Sequence, residues 1–305
     1  MSGILDNKSI AVTGAGRGIG RAVALHCARE GANVVVSDFG VGMHGEDPSS
    51  EVADAVVAEI RDAGGHAVAI ADSVTQMAAG ERIVQSAIDN WGRLDGVVCV
   101  AGILRERMLF NMTEDDWDAV IATHLKGTFT LFRAASVVMR AQQGGALVGF
   151  TSASFQASVA QANYSAAKGG IVSLVRSAAA GLHRYGVTAN AVAPIARTRM
   201  MAQVPMDLPE TGDAEDVAPM VAFLLSDRAR HITGQIYTVV GGKIAVWNQP
   251  HEVRAMYKAG RWTPEEIADR LDSSIGQEPM PILAQLEAYR RAAATAAETG
   301  RTPNS

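Results

Sequence analysis

A chain of 305 residues that is 48% hydrophobic and 19% charged has enough apolar material for a sizeable core and the wrong composition for a disordered chain. Its formal net charge of −5, with basic residues scattered along it, gives no footprint for nucleic acid. Two cysteines, Cys27 and Cys99, in apolar runs and seven histidines without HxH or HExxH spacing give no basis for a metal site or a redox motif.

The first residues, Met1 to Lys8, lack the apolar run of a secretory leader. No stretch has 18 uninterrupted apolar residues, so no membrane partner is expected and a cytoplasmic protein fits. Apolar, β-branched runs then alternate with longer segments of helical period. Strands are predicted near Ile10–Thr13, Asn33–Ser37, Ala67–Ala71, Gly96–Val100, Ala146–Thr151, Thr188–Ala193 and Gln235–Val240. Helices are predicted near Ile19–Glu30, Ser50–Ala63, Met77–Asn90, Glu114–Met139, Gln161–His183 and Asp213–Leu225. The alternation predicts an α/β fold, a single doubly wound Rossmann domain over 1–249 with a seven-stranded parallel sheet. Residues 39–50, rich in glycine and turn formers, read as a long loop after the second strand. Residues 250–305 read as a helical C-terminal extension, with a helix starting at Thr263-Pro264 and the last ten residues disordered.

The first strand runs straight into Thr13-Gly14-Ala15-Gly16-Arg17-Gly18-Ile19-Gly20 and then a helix. Glycines there let the backbone approach a pyrophosphate, and the helix N-terminus offers free N–H groups, so a dinucleotide is the expected ligand. Asp38, at the end of the second strand, can accept both adenosine ribose hydroxyls and would repel a 2′-phosphate. Arg17 pulls toward NADP, but a charge at the ribose itself dominates, and NAD is the expected cofactor.

Tyr164 and Lys168 are spaced i, i+4 on a predicted helix, so both side chains share one face. An ammonium beside the phenol would lower its pKa toward working pH and suit it to carry a proton. The preceding strand ends at Phe150-Thr151-Ser152 and brings hydroxyls to the helix start. One of them, Thr151, Ser152 or Ser154, can hold a substrate oxygen on which charge develops.

With these residues in view, the chain closely resembles the short-chain dehydrogenase/reductase family. The marks are the loop from Thr13 to Gly20, Asp72-Ser73, Ala101-Gly102, Ser152, and Tyr164 with Lys168. The resemblance implies a catalytic set of Ser152, Tyr164, Lys168 and His124, with His124 at the place of an asparagine in helix four. It implies that Gly14, Arg17, Gly18, Ile19 and Asp38 bind the cofactor. Asp72 and Ser73 would stand at the adenine, with Ala101 and Gly102 beyond them. Tyr164, Lys168, Pro194 and Thr198 would stand at the nicotinamide end, Lys168 on its ribose and Thr198 on its carboxamide. Within the family, the chain is most similar to the (3R)-hydroxyacyl-CoA dehydrogenase domains of peroxisomal multifunctional β-oxidation enzymes and their stand-alone bacterial relatives. The similar stretches include Ala101 to Arg107, Asp115 to Asp118, Gln161 to Lys168, the insertion after Asp38 and Thr263-Pro264-Glu265.

The implied activity is oxidation of a secondary alcohol with NAD, on a (3R)-hydroxyacyl-CoA. Fold and triad also suit a steroid or another secondary alcohol, and an inactive NAD-binding homologue is the reading from another class. Arg105, Arg107, Arg197 and Arg199, in loops at the carboxyl edge of the sheet, are expected to meet CoA phosphates unless they pair with neighbouring carboxylates. A homodimer or homotetramer built on helices four and five and the last strand is implied. Four departures stand out: Cys99-Val100 in place of an Asn-Asn pair, His124, Ile195 in place of a glycine, and a segment from Ser152 to Tyr164 one residue shorter than usual, which leaves Thr151 or Ser154 open to take the serine's place.

Overall fold

The computed structural model describes residues 3–42, 44–197, 211–276 and 280–299. It divides into two compact units, 1–247 and 248–305. The first unit is built on one sheet of eight strands in the order β3-β2-β1-β4-β5-β6-β7-β8. These are β1 (Ser9–Thr13), β2 (Asn33–Ser37), β3 (His66–Ile70), β4 (Gly96–Cys99), β5 (Gly145–Phe150), β6 (Val187–Pro194), β7 (Ile236–Val240) and β8 (Lys243–Val246). The first seven pair in parallel. Their continuous apolar runs are explained by helices on both faces, since every residue of β1 and β4 is buried.

One core packs α1 (Gly18–Arg29), α2 (Glu51–Asp62) and α7 (Ala214–Leu225) on one face of the sheet. The other packs α3 (Met77–Trp91), α5 (Gly127–Gln142) and α6 (Ala162–Leu182) on the opposite face. Strand order reverses between β1 and β4, and the crevice at their carboxyl ends is where such sheets hold ligands.

Two expectations need correction. The sheet has an eighth strand, β8, antiparallel to β7 and joined to it through Gly241-Gly242. Gly241 has a φ of 50°, as a two-residue hairpin turn requires. The helix expected over Glu114–Met139 is three pieces: α4 (Glu114–Ile121), a π-helical turn at Ala122–Lys126, and α5. Thr113 and Asp116 cap α4 reciprocally, and the widened turn falls on His124.

In the second unit, α8 (Pro264–Ser274) starts at a capping box formed by Thr263 and Glu266. A further helix, α9 (Pro281–Thr299), extends into the last ten residues, so the tail expected to be disordered is helical as far as Thr299. Among the described residues, no helix is long and apolar enough to cross a membrane, and both cysteines are free and buried.

Candidate active site

A cleft of about 610 Å³ opens at the carboxyl ends of β1, β2, β4, β5 and β6. It brings together Gly14, Arg17, Gly18, Ile19, Asp38, Asp72, Ser73, Ala101, Gly102, His124, Tyr164, Lys168 and Pro194. Thr198 and Arg199 lie outside the described residues.

The dinucleotide cradle follows from close backbone approach. Gly14 has a φ of 65°, and a Cβ there would lie 2.7 Å from the backbone of Ala101. A Cβ on Gly20 would lie 2.0 Å from the Gly14 carbonyl. Only glycine lets the loop fold this tightly between β1, β4 and α1. Arg17 precedes α1 in extended conformation, gives it no side-chain cap, and no acidic residue occupies its first turn. The N–H groups of that turn are left for an anion, aided by the helix dipole. The cradle therefore fits the pyrophosphate of a dinucleotide.

Asp38 holds the loop in shape. Its Oδ2 accepts from the Gly16 N–H and its Oδ1 from the Gly40 N–H, both at 2.7 Å. Arg17 donates through Nη1 to the Val41 carbonyl at 3.2 Å, within the insertion 39–50. The insertion is no free loop. His44 donates from Nδ1 to the Leu104 carbonyl at 2.9 Å, and Val41 packs against the small cluster of Ile103, Val120 and Ala167. Asp72 is ion-paired with Arg82 at 2.6 Å, and the Ser73 hydroxyl meets that of Thr75 at 3.0 Å.

At the other end, β5 and α6 deliver the hydroxyl, phenol and ammonium. The Thr151 hydroxyl is buried and donates to the Lys168 carbonyl at 2.9 Å, and Thr151 lines the cleft, whereas Ser152 is not among the lining residues. Ser152 stands close enough to the Tyr164 phenol to oppose the rise in its pKa, and donates to Ser154 Oγ at 3.2 Å. Lys168 is almost fully buried and donates to the Phe150 carbonyl at 2.6 Å, with Nζ 5.4 Å from the centre of the Tyr164 ring.

Electrostatics here differ from the expectation that lysine would lower the tyrosine. Burial pushes the Tyr164 phenol up to about 12, with only the Ser152 hydrogen bond opposing it. Burial also brings Lys168 down to about 7, the thiol of Cys99 opposing weakly. Removal from water outweighs the neighbouring cation because the ammonium itself pays the same penalty.

His124 is buried on the π-helical turn, its ring edge-on to Tyr164 at 5.1 Å between centres. Its Nε2 lies 2.8 Å from the Ile103 carbonyl and 3.2 Å from the Ile103 N–H, while Nδ1 has no partner among the described residues. Burial, then the charge of Lys168, brings its pKa down to about 3, so the imidazole is neutral. Gly102 makes room for it, since a Cβ there would lie 2.2 Å from His124 Cε1.

The described arginines expected at a CoA rim all have carboxylate partners. Arg105 pairs with Asp115, Arg197 with Asp213 at 2.9 Å, and Arg107 lies 4.0 Å from Asp116. Sequence reasoning also missed His44 and the buried Asn163. Only the position of Asn163, next to Tyr164, could have marked it.

The family model described as Enoyl-(Acyl carrier protein) reductase, a short-chain dehydrogenase/reductase model, matches residues 14–243. The chain belongs to the short-chain dehydrogenase/reductase family. It is therefore an oxidoreductase, of a family whose Rossmann fold typically binds a nicotinamide cofactor. It is 41% identical to the hydroxyacyl-CoA dehydrogenase ChsB1 of Mycobacterium tuberculosis over 293 residues, covering 90% of this chain and 91% of that one. It is 40% identical to mouse peroxisomal multifunctional enzyme type 2, covering 91% of this chain but 38% of that longer protein. A crystal structure of a short chain dehydrogenase from Mycobacterium avium superposes with a TM-score of 0.82 at 42% identity, covering 92% and 98% of the two chains.

Proposed function

We propose that this short-chain dehydrogenase/reductase oxidises (3R)-hydroxyacyl-CoA to the 3-ketoacyl-CoA, and reduces it in reverse, with NAD. The observation that carries the chemistry is the pair Tyr164 and Lys168 lining one cleft from α6, with Ser152 next to the phenol. When bound, NAD supplies a hydride acceptor. The Ser152 hydroxyl holds the substrate oxygen, and Tyr164 Oη gives its proton to that oxygen in reduction and, as the phenolate, takes it back in oxidation. Lys168, when protonated, provides positive charge near the phenol, and His124, kept neutral, bonds the Ile103 backbone and sets its own ring edge-on to the tyrosine. The choice of Ser152 over Thr151 is supported by the donation of the Thr151 hydroxyl to the Lys168 carbonyl, which occupies its proton.

The preference for NAD over NADP rests on Asp38. Its carboxylate is held at the end of β2 by two backbone N–H groups, where a 2′-phosphate would meet a fixed negative charge. Arg17, which could have offset that charge, donates to Val41 instead. The acyl-CoA reading is supported by relatives whose names share a thioester-borne alcohol or ketone. These are the hydroxyacyl-CoA dehydrogenase above and a Staphylococcus aureus 3-oxoacyl-[acyl-carrier-protein] reductase, 39% identical over 249 residues.

The proton-transfer role is tested by Tyr164→Phe, assayed with acetoacetyl-CoA and NADH. Turnover should fall by on the order of 10³-fold with NADH affinity unchanged; activity within tenfold of wild type would place the proton-transfer group elsewhere. Substrate class is tested by comparing (3R)-hydroxybutyryl-CoA with its (3S) epimer and with the same acyl group on N-acetylcysteamine. Equal kcat/KM for all three would leave a general secondary-alcohol dehydrogenase.

A homodimer or homotetramer is part of this reading. It is supported by exposed Phe129 and Val137 on α5 and exposed Ile244 and Val246 on the edge strand β8. A monomer in sedimentation equilibrium would refute it. The two free, buried thiols support a cytoplasmic location, which fractionation would test.

A further inference from the structure

The phenol of Tyr164 rides on the first turn of α6, and helix starts are held in place only by what caps them. Gln161, at the N-cap position, contributes no side-chain cap. Tyr164 is the third residue of the helix, so its N–H has no acceptor within the helix. That N–H donates to Oδ1 of Asn163 at 2.8 Å. The same amide donates from Nδ2 to two carbonyls, Arg105 at 3.0 Å and Asp116 at 2.8 Å. Asn163 is 1% exposed, so these bonds form without competing water. Both donor hydrogens and the acceptor oxygen are used.

Each partner belongs to a different segment. Asp116 is in the first turn of α4, Arg105 is in the run after β4, and Tyr164 carries the phenol. The backbone beside this amide is tied as well. Arg107 N–H donates to the Ala160 carbonyl at 2.8 Å, and Gln161 donates to Glu106, so Arg107 and Gln161 form a parallel bridge. Ala160 holds a φ of 59°, a left-handed conformation that a residue with a Cβ keeps only when its neighbours impose it. Of this cluster only Tyr164 and Arg105 line the cleft, and Tyr164 is the one the proposed reaction uses for proton transfer.

We propose that Asn163 is a positioning residue for the reaction, fixing the first turn of α6 so that the Tyr164 hydroxyl meets Ser152. The inference rests on Tyr164 being the proton-transfer group. An apolar residue of the same size would strand two buried carbonyls and one N–H. Aspartate would set a carboxylate against two carbonyl oxygens. In either case the turn shifts to regain partners, and a displacement of about 1 Å at reacting atoms costs on the order of 100-fold in rate.

The experiment compares Asn163→Asp, Asn163→Ala, Tyr164→Phe and wild type, with acetoacetyl-CoA and NADH. Measured for each are kcat, KM, the NADH dissociation constant, thermal midpoint and the pH dependence of kcat/KM. Both Asn163 variants should bind NADH within about threefold of wild type, since the cradle lies on α1 and β2. Their kcat should fall on the order of 10- to 100-fold. The tyrosine limb of the pH profile should move upward, because the Ser152 hydrogen bond that opposes the rise in the phenol's pKa is weakened. A residue that served stability alone would lower the thermal midpoint and leave kcat and the pH profile where they were. That result in either folded variant overturns the proposal, and so does failure of both to fold, which would make Asn163 a folding residue. If Tyr164→Phe retains turnover, the underlying assignment of the phenol fails instead.

Discussion

Lys168 lets the electrostatics of the cleft be measured without any substrate. Its ammonium titrates near 7 in the folded chain against an ordinary 10.5, chiefly because burial disfavours the charged form. Between those values the unfolded chain binds more protons than the folded one, so stability rises with pH across that window. With about 1.4 kcal/mol per pH unit of full proton difference, the residue accounts for about 2 kcal/mol of added stability between pH 7 and pH 9. The perturbation is Lys168→Met, which keeps the apolar stem and removes the titrating group. At pH 7 the variant escapes a desolvation penalty of about 4 kcal/mol. It also leaves the Phe150 carbonyl, now bonded by Nζ at 2.6 Å, without a partner, an offset of about 1–3 kcal/mol. The net change at pH 7 is therefore small and stabilising. The sharper expectation concerns slope: wild type gains stability from pH 7 to 9 and the variant does not. Urea unfolding of both proteins at the two pH values, free of cofactor, measures it. Parallel pH dependences would mean that Lys168 keeps its ordinary pKa, and that the buried ammonium described above is wrong.

Asp38→Ala should lower kcat/KM with NAD by on the order of 10- to 100-fold and reduce discrimination against NADP, read from paired assays with both cofactors. A wild type preferring NADP would show that Arg17 leaves Val41 for the 2′-phosphate. His124→Asn, an uncharged donor and acceptor, should retain turnover, whereas His124→Leu should lose on the order of tenfold or more by stranding the Ile103 backbone groups. Because His124 is held near 3 against 6.5 in the unfolded chain, wild type should lose stability as pH falls below 6.5. The asparagine variant should lose less, measured by unfolding at pH 7 and pH 5.

The parallel strands, the cradle and the Tyr164–Lys168 face were legible because each is local: a β-branched run, glycines at a strand-to-helix junction, a spacing of four. What escaped depends on contacts between distant segments. β8 is four residues after a Gly-Gly pair, too short for periodicity to mark, and exists because β7 offers an open edge. The π-helical turn interrupts a helical pattern that is unbroken in sequence, and only the burial of His124 beside Tyr164 betrays it. The insertion 39–50 reads as a loop by composition, yet His44 and Val41 fasten it to residues some sixty positions on. Likewise, nothing in Asn163 itself announces that its amide spans three segments.

The departures from the family pattern bear on whether the chain is a working enzyme. Loss of function in a homologue would leave the positions around the phenol free to drift, and their hydrogen bonds unmade. Here each departure has a local partner. An imidazole is bulkier than an amide, and His124 fits only because residue 102 lacks a Cβ, so the two positions answer each other. Ile195 is bonded through its N–H to the Val239 carbonyl at 3.0 Å and through its carbonyl to the Gly212 N–H at 3.1 Å. Cys99 and Val100 carry no side-chain amide, but the Val100 N–H still reaches the Thr13 carbonyl at 3.3 Å, tying β4 to the cofactor loop. Thr151 spends its hydroxyl on the Lys168 carbonyl and Asn163 its amide on the start of α6, so the strand and the helix that bear the reacting groups are each held from outside. Such mutual fitting around Ser152, Tyr164 and Lys168 argues for an active dehydrogenase, and an enzyme pure and folded that turns over neither acyl-CoA nor simple alcohols with either cofactor would refute that argument.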